Sequence, residues 1–453
     1  MKRTPLLLIA WFSIVALACN LTSNEKPPTL VPQGPIGVAT QATLGYIPPP
    51  PGAEDATAVA ANPSIDIEMF NLVNEVQSDR LMLHISNLVD FRTRHINSSL
   101  TSQTEGIGAA ASYIMRQFED IRAEHPDFAV FPHSFQGFYN DKISTQRNIV
   151  GILQGTDQNA GVILIGAHYD SRNDDLDDAV GASPGADDNG SGVAAVIELA
   201  RILSQRQHRS TIIFALFSAE EEGRQGSKAF VQDYILHYQI PLIAMINIDT
   251  IGSWNAPDGT IANQSIRAFS AGPNDSSARQ LARMANFFSY YHALSLTITV
   301  QDRMDREGRY GDHQSFTEAS YPAIRFIEAV EDTANRDSKD TYNGVEAAYL
   351  ADSVKTILGV VTALADGLRP PRNISLRDTG DGTHTLVWEP VDGVARYVVA
   401  LRRPNSLIYD QHFITLGATS GAWTGWSQYE AVAIAVEDAN GLVGPFSVEY
   451  KIP

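Results

Sequence analysis

Residues 162–170 read VILIGAHYD, and residues 185–203 read GADDNGSGVAAVIELARIL. The first is a continuous aliphatic run that ends on a His-x-Asp pair. The second is an Asp-rich turn of small residues that opens a helix at about 193–203. An unbroken apolar run of this length suits a strand buried on both faces. Similar runs stand at 148–153, 211–217 and 242–248, and helical spacing recurs at 109–121 and 350–368. Strands of this type alternating with helices predict an α/β fold, a mostly parallel central sheet flanked by helices. In such sheets the ligand site lies beyond the carboxyl ends of the strands. His168, Glu220 and Asp249 each stand just past one.

The stretch 166–192 crowds many carboxylates near a sheet edge, where they would repel one another and be costly to desolvate. Divalent cations remove that cost. Residues two apart in an extended strand face the same way, so His168 can offer one imidazole nitrogen to a metal while Asp170 orients the ring. Taken alone, His-Tyr-Asp is equally compatible with a satisfied polar cluster at a strand end. In 185–192, helix N-capping would explain one acidic residue but not the adjacent pair Asp187 and Asp188. A carboxylate with both oxygens available can bridge two metals roughly 3.5–4 Å apart. Glu220 and Glu221 follow the 211–217 run and point in different directions, so one can ligate while the other moves protons. Glu222 reads as a solvated charge.

In this order the motifs resemble the co-catalytic dizinc exopeptidases that include bacterial leucyl-type aminopeptidases, with relatives among glutamate carboxypeptidases and glutaminyl cyclases. The resemblance covers about 65–368. It implies Zn²⁺ as cofactor, with His168, Asp188, Glu221 and Asp249 as metal ligands and Asp188 as the bridge. It also implies Glu220 as general base, taking a proton from a metal-activated water and returning it to the leaving amine, and Asp170 as the partner of His168. Asp187 matches a variable position. The stretch 311–316 matches one that lines the family's site, and the fifth ligand, a histidine, is replaced by Arg336. A guanidinium cannot bind a cation. One zinc is therefore expected to be held firmly by His168, Asp188 and Asp249, and a second weakly or not at all. Arg336 pairing with Glu221, or His313 or Asp337 swinging in as a substitute ligand, are the alternatives.

The activity implied is a zinc exopeptidase, foremost an aminopeptidase acting on peptide N termini. A carboxypeptidase of the same superfamily is an alternative, and so is an inactive surface-binding protein with a degraded metal site. A cyclase fits less well, since single-zinc cyclases keep the metal position that Arg336 damages.

The rest of the chain bears on compartment and partners. With 453 residues, 44% of them hydrophobic, it is long enough for more than one domain. A net charge of −19 argues against nucleic acid or an anionic membrane surface as partner, because phosphate binding needs clustered Lys and Arg. Lys2, Arg3, the apolar segment 6–16 and Leu17-Ala18-Cys19 read as a signal peptide over 1–18. Cys19 is the sole cysteine, which excludes an intramolecular disulfide, and its position resembles a bacterial lipobox. Residues 19–64, with four consecutive prolines at 48–51, read as a tether. The chain is thus expected to be exported, either anchored to a membrane solely through a lipid on Cys19 or freely secreted. Residues 371–453 carry short, turn-punctuated strand patterns and resemble a fibronectin type III domain, a small all-β sandwich. Trp388 and Tyr397 are its expected core aromatics and 438–441 its late hairpin turn. Peptides are the expected substrates, and no residue of the β-domain names a partner for it.

Overall fold

The computed structural model describes residues 66–453 apart from 257, 332–337, 381 and 395. The expectations for the signal peptide, Cys19, the tether, Arg336 and Asp337 therefore lie outside the described residues. Helices α1 (Ile67–Val73), α2 (Ser78–Asp90) and α3 (Gly106–Glu124) lead into a long hairpin, β1 (Phe128–Tyr139) and β2 (Lys142–Leu153). Next come β3 (Val162–His168), α4 (Gly190–Leu203), β4 (Thr211–Phe217), α5 (Gln225–Phe230) and β5 (Leu242–Ile248). Then follow β6 (Ser265–Ser270), α6 (Ser277–Tyr291), β7 (Thr297–Val300), α7 (His313–Glu318), β8 (Ala323–Glu328) and α8 (Ala347–Asp366).

The eight strands form one sheet in the order β1-β2-β4-β3-β5-β8-β6-β7. Its centre, β4-β3-β5-β8, is parallel. The outer pairings β1–β2, β2–β4 and β6–β8 are antiparallel. Alternate residues of the central strands face opposite layers, as the pleat requires. Ile163 and Ile165 pack into the core shared with α2, α3, α4, α6 and α8. Val162 and Leu164 pack into the one beneath α5 and α7. The apolar runs are continuous because both faces are covered. Helix α8 is long and apolar enough to cross a membrane by composition, but it is largely buried within the first core.

Beyond α8 the chain forms β9 (Ser375–Asp378), β10 (His384–Val387), β11 (Arg396–Arg402), β12 (Gln411–Leu416), β13 (Ser420–Trp423), β14 (Ala431–Glu437) and β15 (Tyr450–Lys451). They make a three-stranded sheet, β13-β10-β9, and a four-stranded one, β12-β11-β14-β15, all antiparallel. Trp388 and Tyr397 are both buried in the core between them, their rings edge to face at 5.5 Å. Asp438 and Gly441 close the turn after β14.

Candidate active site

The carboxyl ends of the parallel strands bring the acidic motifs together. His168 is the last residue of β3. Its Nε2 lies 3.3 Å from Asp188 Oδ1, 3.6 Å from Asp249 Oδ1 and 3.9 Å from Glu220 Oε2. Asp188 precedes the first turn of α4, Asp249 follows β5, and Glu220 follows β4. All four are buried. One ligand atom from each of His168, Asp188 and Asp249 lies within 4.8 Å of the others. One imidazole nitrogen and two carboxylate oxygens suit Zn²⁺, whose catalytic sites take three protein ligands and leave a position open.

Backbone anchors fix each of these side chains. The Asp340 carboxylate accepts the N–H groups of Asp187 and Asp188, both at 2.9 Å. Asn189 caps α4 by accepting from Gly192, accepts also from Thr250 N, and donates to the carbonyl of Ile248. One amide thus ties the Asp188 turn to the end of β5. Arg94, fully buried, donates to the carbonyls of Tyr169 at 2.6 Å and Gly185 at 2.8 Å, joining the two loops that carry His168 and Asp188. Asp170 lies 3.6 Å from His168 Nδ1, while its two oxygens accept the N–H groups of Glu220 at 3.1 Å and Glu221 at 3.0 Å. Its carboxylate thus holds the Glu220 turn as well as standing behind the histidine.

The field at the site follows from this crowding. Burial works against a proton on His168, but Glu220 and Asp249 outweigh it and raise the ring well above its ordinary range. Burial, with Asp312, Glu221 and Asp249 adding to it against His168, lifts the Glu220 carboxyl well above the usual carboxylate range. Burial would raise Asp249 too, yet the Arg325 guanidinium and His168 hold it well below. Asp312, within the site-lining stretch 311–316, is pushed up to about 7 by burial against the pull of His168.

Glu221, the ligand expected at the second metal, stands apart from the group of His168, Asp188 and Asp249: its Oε2 meets Arg172 Nε at 2.9 Å, and Arg172 Nη1 donates to its carbonyl at 3.2 Å. With both backbone N–H groups fixed to Asp170, Glu220 and Glu221 project apart. Glu222 is not a solvated charge, since its side chain is only 3% exposed, 3.8 Å from His95, and burial lifts it to about 9. His313 Nε2 bonds the carbonyl of Met304 at 3.0 Å. Asp187, excluded as a ligand, turns instead to the N–H of Gly252 at 2.7 Å.

The profile of peptidase family M28 matches residues 148–361. A probable zinc metalloprotease of Pyrenophora tritici-repentis is 31% identical over 364 residues, covering 73% of this chain and 84% of the relative. The chain belongs to peptidase family M28. Another relative, a probable zinc metalloprotease of Leptosphaeria maculans, is 30% identical over 77% of this chain and 88% of its own length. Among solved structures, the Legionella pneumophila aminopeptidase LapA shares the fold, with a TM-score of 0.53 at 22% identity, covering 68% of this chain and 77% of its own. A leucine aminopeptidase precursor of Bacteroides thetaiotaomicron does so with a TM-score of 0.50 at 19% identity, over 63% of this chain and 97% of its own. M28 is a family of co-catalytic zinc exopeptidases, and this M28 chain is a zinc metallopeptidase.

Proposed function

We propose that this M28 peptidase removes N-terminal residues from peptides, holding one zinc firmly through His168, Asp188 and Asp249, with Glu220 as general base and Asp170 as the positioning partner of His168 and of the Glu220 turn. The observation that carries the reading is the convergence of those three ligand atoms on a point beside the Glu220 carboxylate. When bound, zinc supplies Lewis acidity that polarises the scissile carbonyl and acidifies a water molecule. Glu220 Oε2, 3.9 Å from His168, is placed to take that water's proton and hand it to the leaving amine. The grip of Arg172 on Glu221 supports a weak second metal position. Aminopeptidase fold neighbours favour action at the N terminus over the C terminus.

Hydrolysis of aminoacyl anilides, beside N-blocked versions and alongside elemental analysis, tests the reading. Free N termini should be cleaved and blocked ones spared, at about one tightly held zinc per chain. Equal cleavage of blocked substrates, or two firmly held metals, would overturn it.

The same proposal takes residues 1–18 as a signal peptide, Cys19 as the site of a lipid anchor and 19–64 as a tether holding the catalytic part clear of the bilayer. Cys19→Ser should move the protein from the membrane fraction to the soluble one with its zinc content unchanged. Labelled fatty acid failing to enter the unmutated chain would leave a freely secreted enzyme. For residues 371–453, the pairing of three strands in one sheet and four in the other supports a fibronectin type III-like domain.

A further inference from the structure

Strand β8 reads AIRFIE and is buried at all six positions. A guanidinium in the middle of such a strand is costly to desolvate unless its charge is answered with good geometry. Arg325 is answered on two sides. Its Nη1 meets the Asp305 carboxylate at 2.9 Å and 3.2 Å. Its Nη2 reaches Asp249 Oδ2 at 2.9 Å. Asp305 is itself pinned by the backbone N–H groups of Arg306 and Gly311, so the guanidinium is held from behind and presents Nη2 to Asp249. Gly311 leaves room for it: a Cβ there would come within 3.1 Å of Arg325 Cδ and 2.9 Å of Asn247 Nδ2. The other oxygen of Asp249, Oδ1, accepts the Thr250 hydroxyl at 3.0 Å and is the one that faces His168.

We propose that Arg325 is a positioning residue that caps Oδ2 of Asp249 and so restricts this ligand to a single oxygen. The inference rests on the proposed zinc set of His168, Asp188 and Asp249 and adds a determinant of its coordination number. An uncapped carboxylate can chelate with both oxygens. Capped, it contributes one, which leaves three protein donors and an open position for water and substrate. Only arginine, with its planar fork, can hold two carboxylates at fixed angles; a lysine ammonium would reach them as a point charge.

The test loads the full chain with cobalt(II) in place of zinc and reads the visible ligand-field bands, which are intense for four-coordinate cobalt and weaken as the coordination number rises. The principal variant pairs Arg325→Met with Asp305→Asn, so that one positive and one negative charge leave the buried pocket together. Arg325→Lys and Gly311→Ala accompany it, the latter pressing on the guanidinium without removing a charge. The unmutated protein should give the intense four-coordinate spectrum. The double variant should bind the same amount of cobalt with clearly weakened bands, and Arg325→Lys should recover part of the intensity. If the double variant fails to fold, Gly311→Ala carries the same expectation. Unchanged bands in a folded variant would overturn the proposal. An unmutated protein that binds no cobalt would overturn the zinc set, and the proposal with it; a variant that loses cobalt altogether would show that Arg325 maintains the site rather than its coordination number.

Discussion

Asp340 shows how little of an active site the ligands themselves decide. Its side chain, on a residue 5% exposed, accepts the consecutive backbone N–H groups of Asp187 and Asp188. Asp340→Ala leaves two N–H groups without that acceptor, at about 1–3 kcal/mol each if they stay buried. Zinc affinity should fall by roughly 10–100-fold, as measured by competition with a chromophoric chelator. Unchanged affinity would mean that Asp188 is held by other means. Glu220→Gln keeps the shape of the side chain and removes only its proton transfer. Zinc content and thermal stability should hold while turnover drops roughly 10²–10⁴-fold. A fully active variant would remove Glu220 from the mechanism. His168, Asp188, Asp249 and Glu220 were legible because each ends or follows a strand, or precedes a helix, within a recognisable acidic motif. Asp340 was not, because it lies in a polar stretch with no periodicity. Arg325 did leave a signal, a charge interrupting an apolar run, which is seldom tolerated without a buried partner.

Elements whose burial is simple were read closely. The runs 211–217 and 242–248 coincide with β4 and β5, and 162–167 falls one residue short of β3, because strands covered on both faces show as unbroken apolar sequence. Elements with mixed surroundings were read less well. Strand β2 begins at Lys142 rather than 148 because KISTQR extends into the exposed arm of the hairpin, where no apolar face is required. Residues 67–90, whose apolar positions recur at helical spacing, form two helices, α1 and α2, separated at 74–77. Within α2, His84 is buried with its Nδ1 2.7 Å from the Tyr113 hydroxyl of α3, and burial lowers it from 6.5 to about 4. Between those values the unfolded chain takes up a proton that the folded one refuses, so stability is lost as pH falls from 6.5 towards 4. The loss is on the order of 3 kcal/mol across the window. In denaturant titrations at stepped pH, His84→Gln should show a shallower acid decline than the unmutated protein by that amount. Parallel curves would place the acid sensitivity elsewhere.

At the scale of the whole molecule, the β-domain is built into the catalytic part rather than hung from it. Helix α6 forms the seam. Arg283, fully buried, reaches Glu449 Oε1 at 2.6 Å and the carbonyls of Leu407 and Asn274 at 3.1 Å and 3.0 Å. Gln280 donates to the carbonyl of Ser447 at 2.6 Å, and the Tyr291 hydroxyl to Glu437 at 2.9 Å. Between these bonds the Phe287 ring packs 4.9 Å from that of Phe446 and 5.2 Å from that of His412. Val398, Ala433 and Phe446 accordingly belong to the same core as α4 and α8. An apolar seam closed by a buried charge pair and buried hydrogen bonds should make the two parts unfold as one cooperative unit, whereas a flexibly tethered module would melt alone. Tryptophan fluorescence, weighted towards Trp388, Trp423 and Trp426 of the β-domain, and residual peptidase activity, which reports the catalytic part, should therefore be lost at the same temperature. Arg283→Met strips two carbonyls, the Asn274 side-chain oxygen and one carboxylate of their donor while Arg402 still pairs with Glu449, so it should cost about 1–3 kcal/mol for each acceptor that stays buried and unmade, and should lower both transitions together. A fluorescence transition well separated from the loss of activity in the unmutated protein would show instead that the seam does not couple the two.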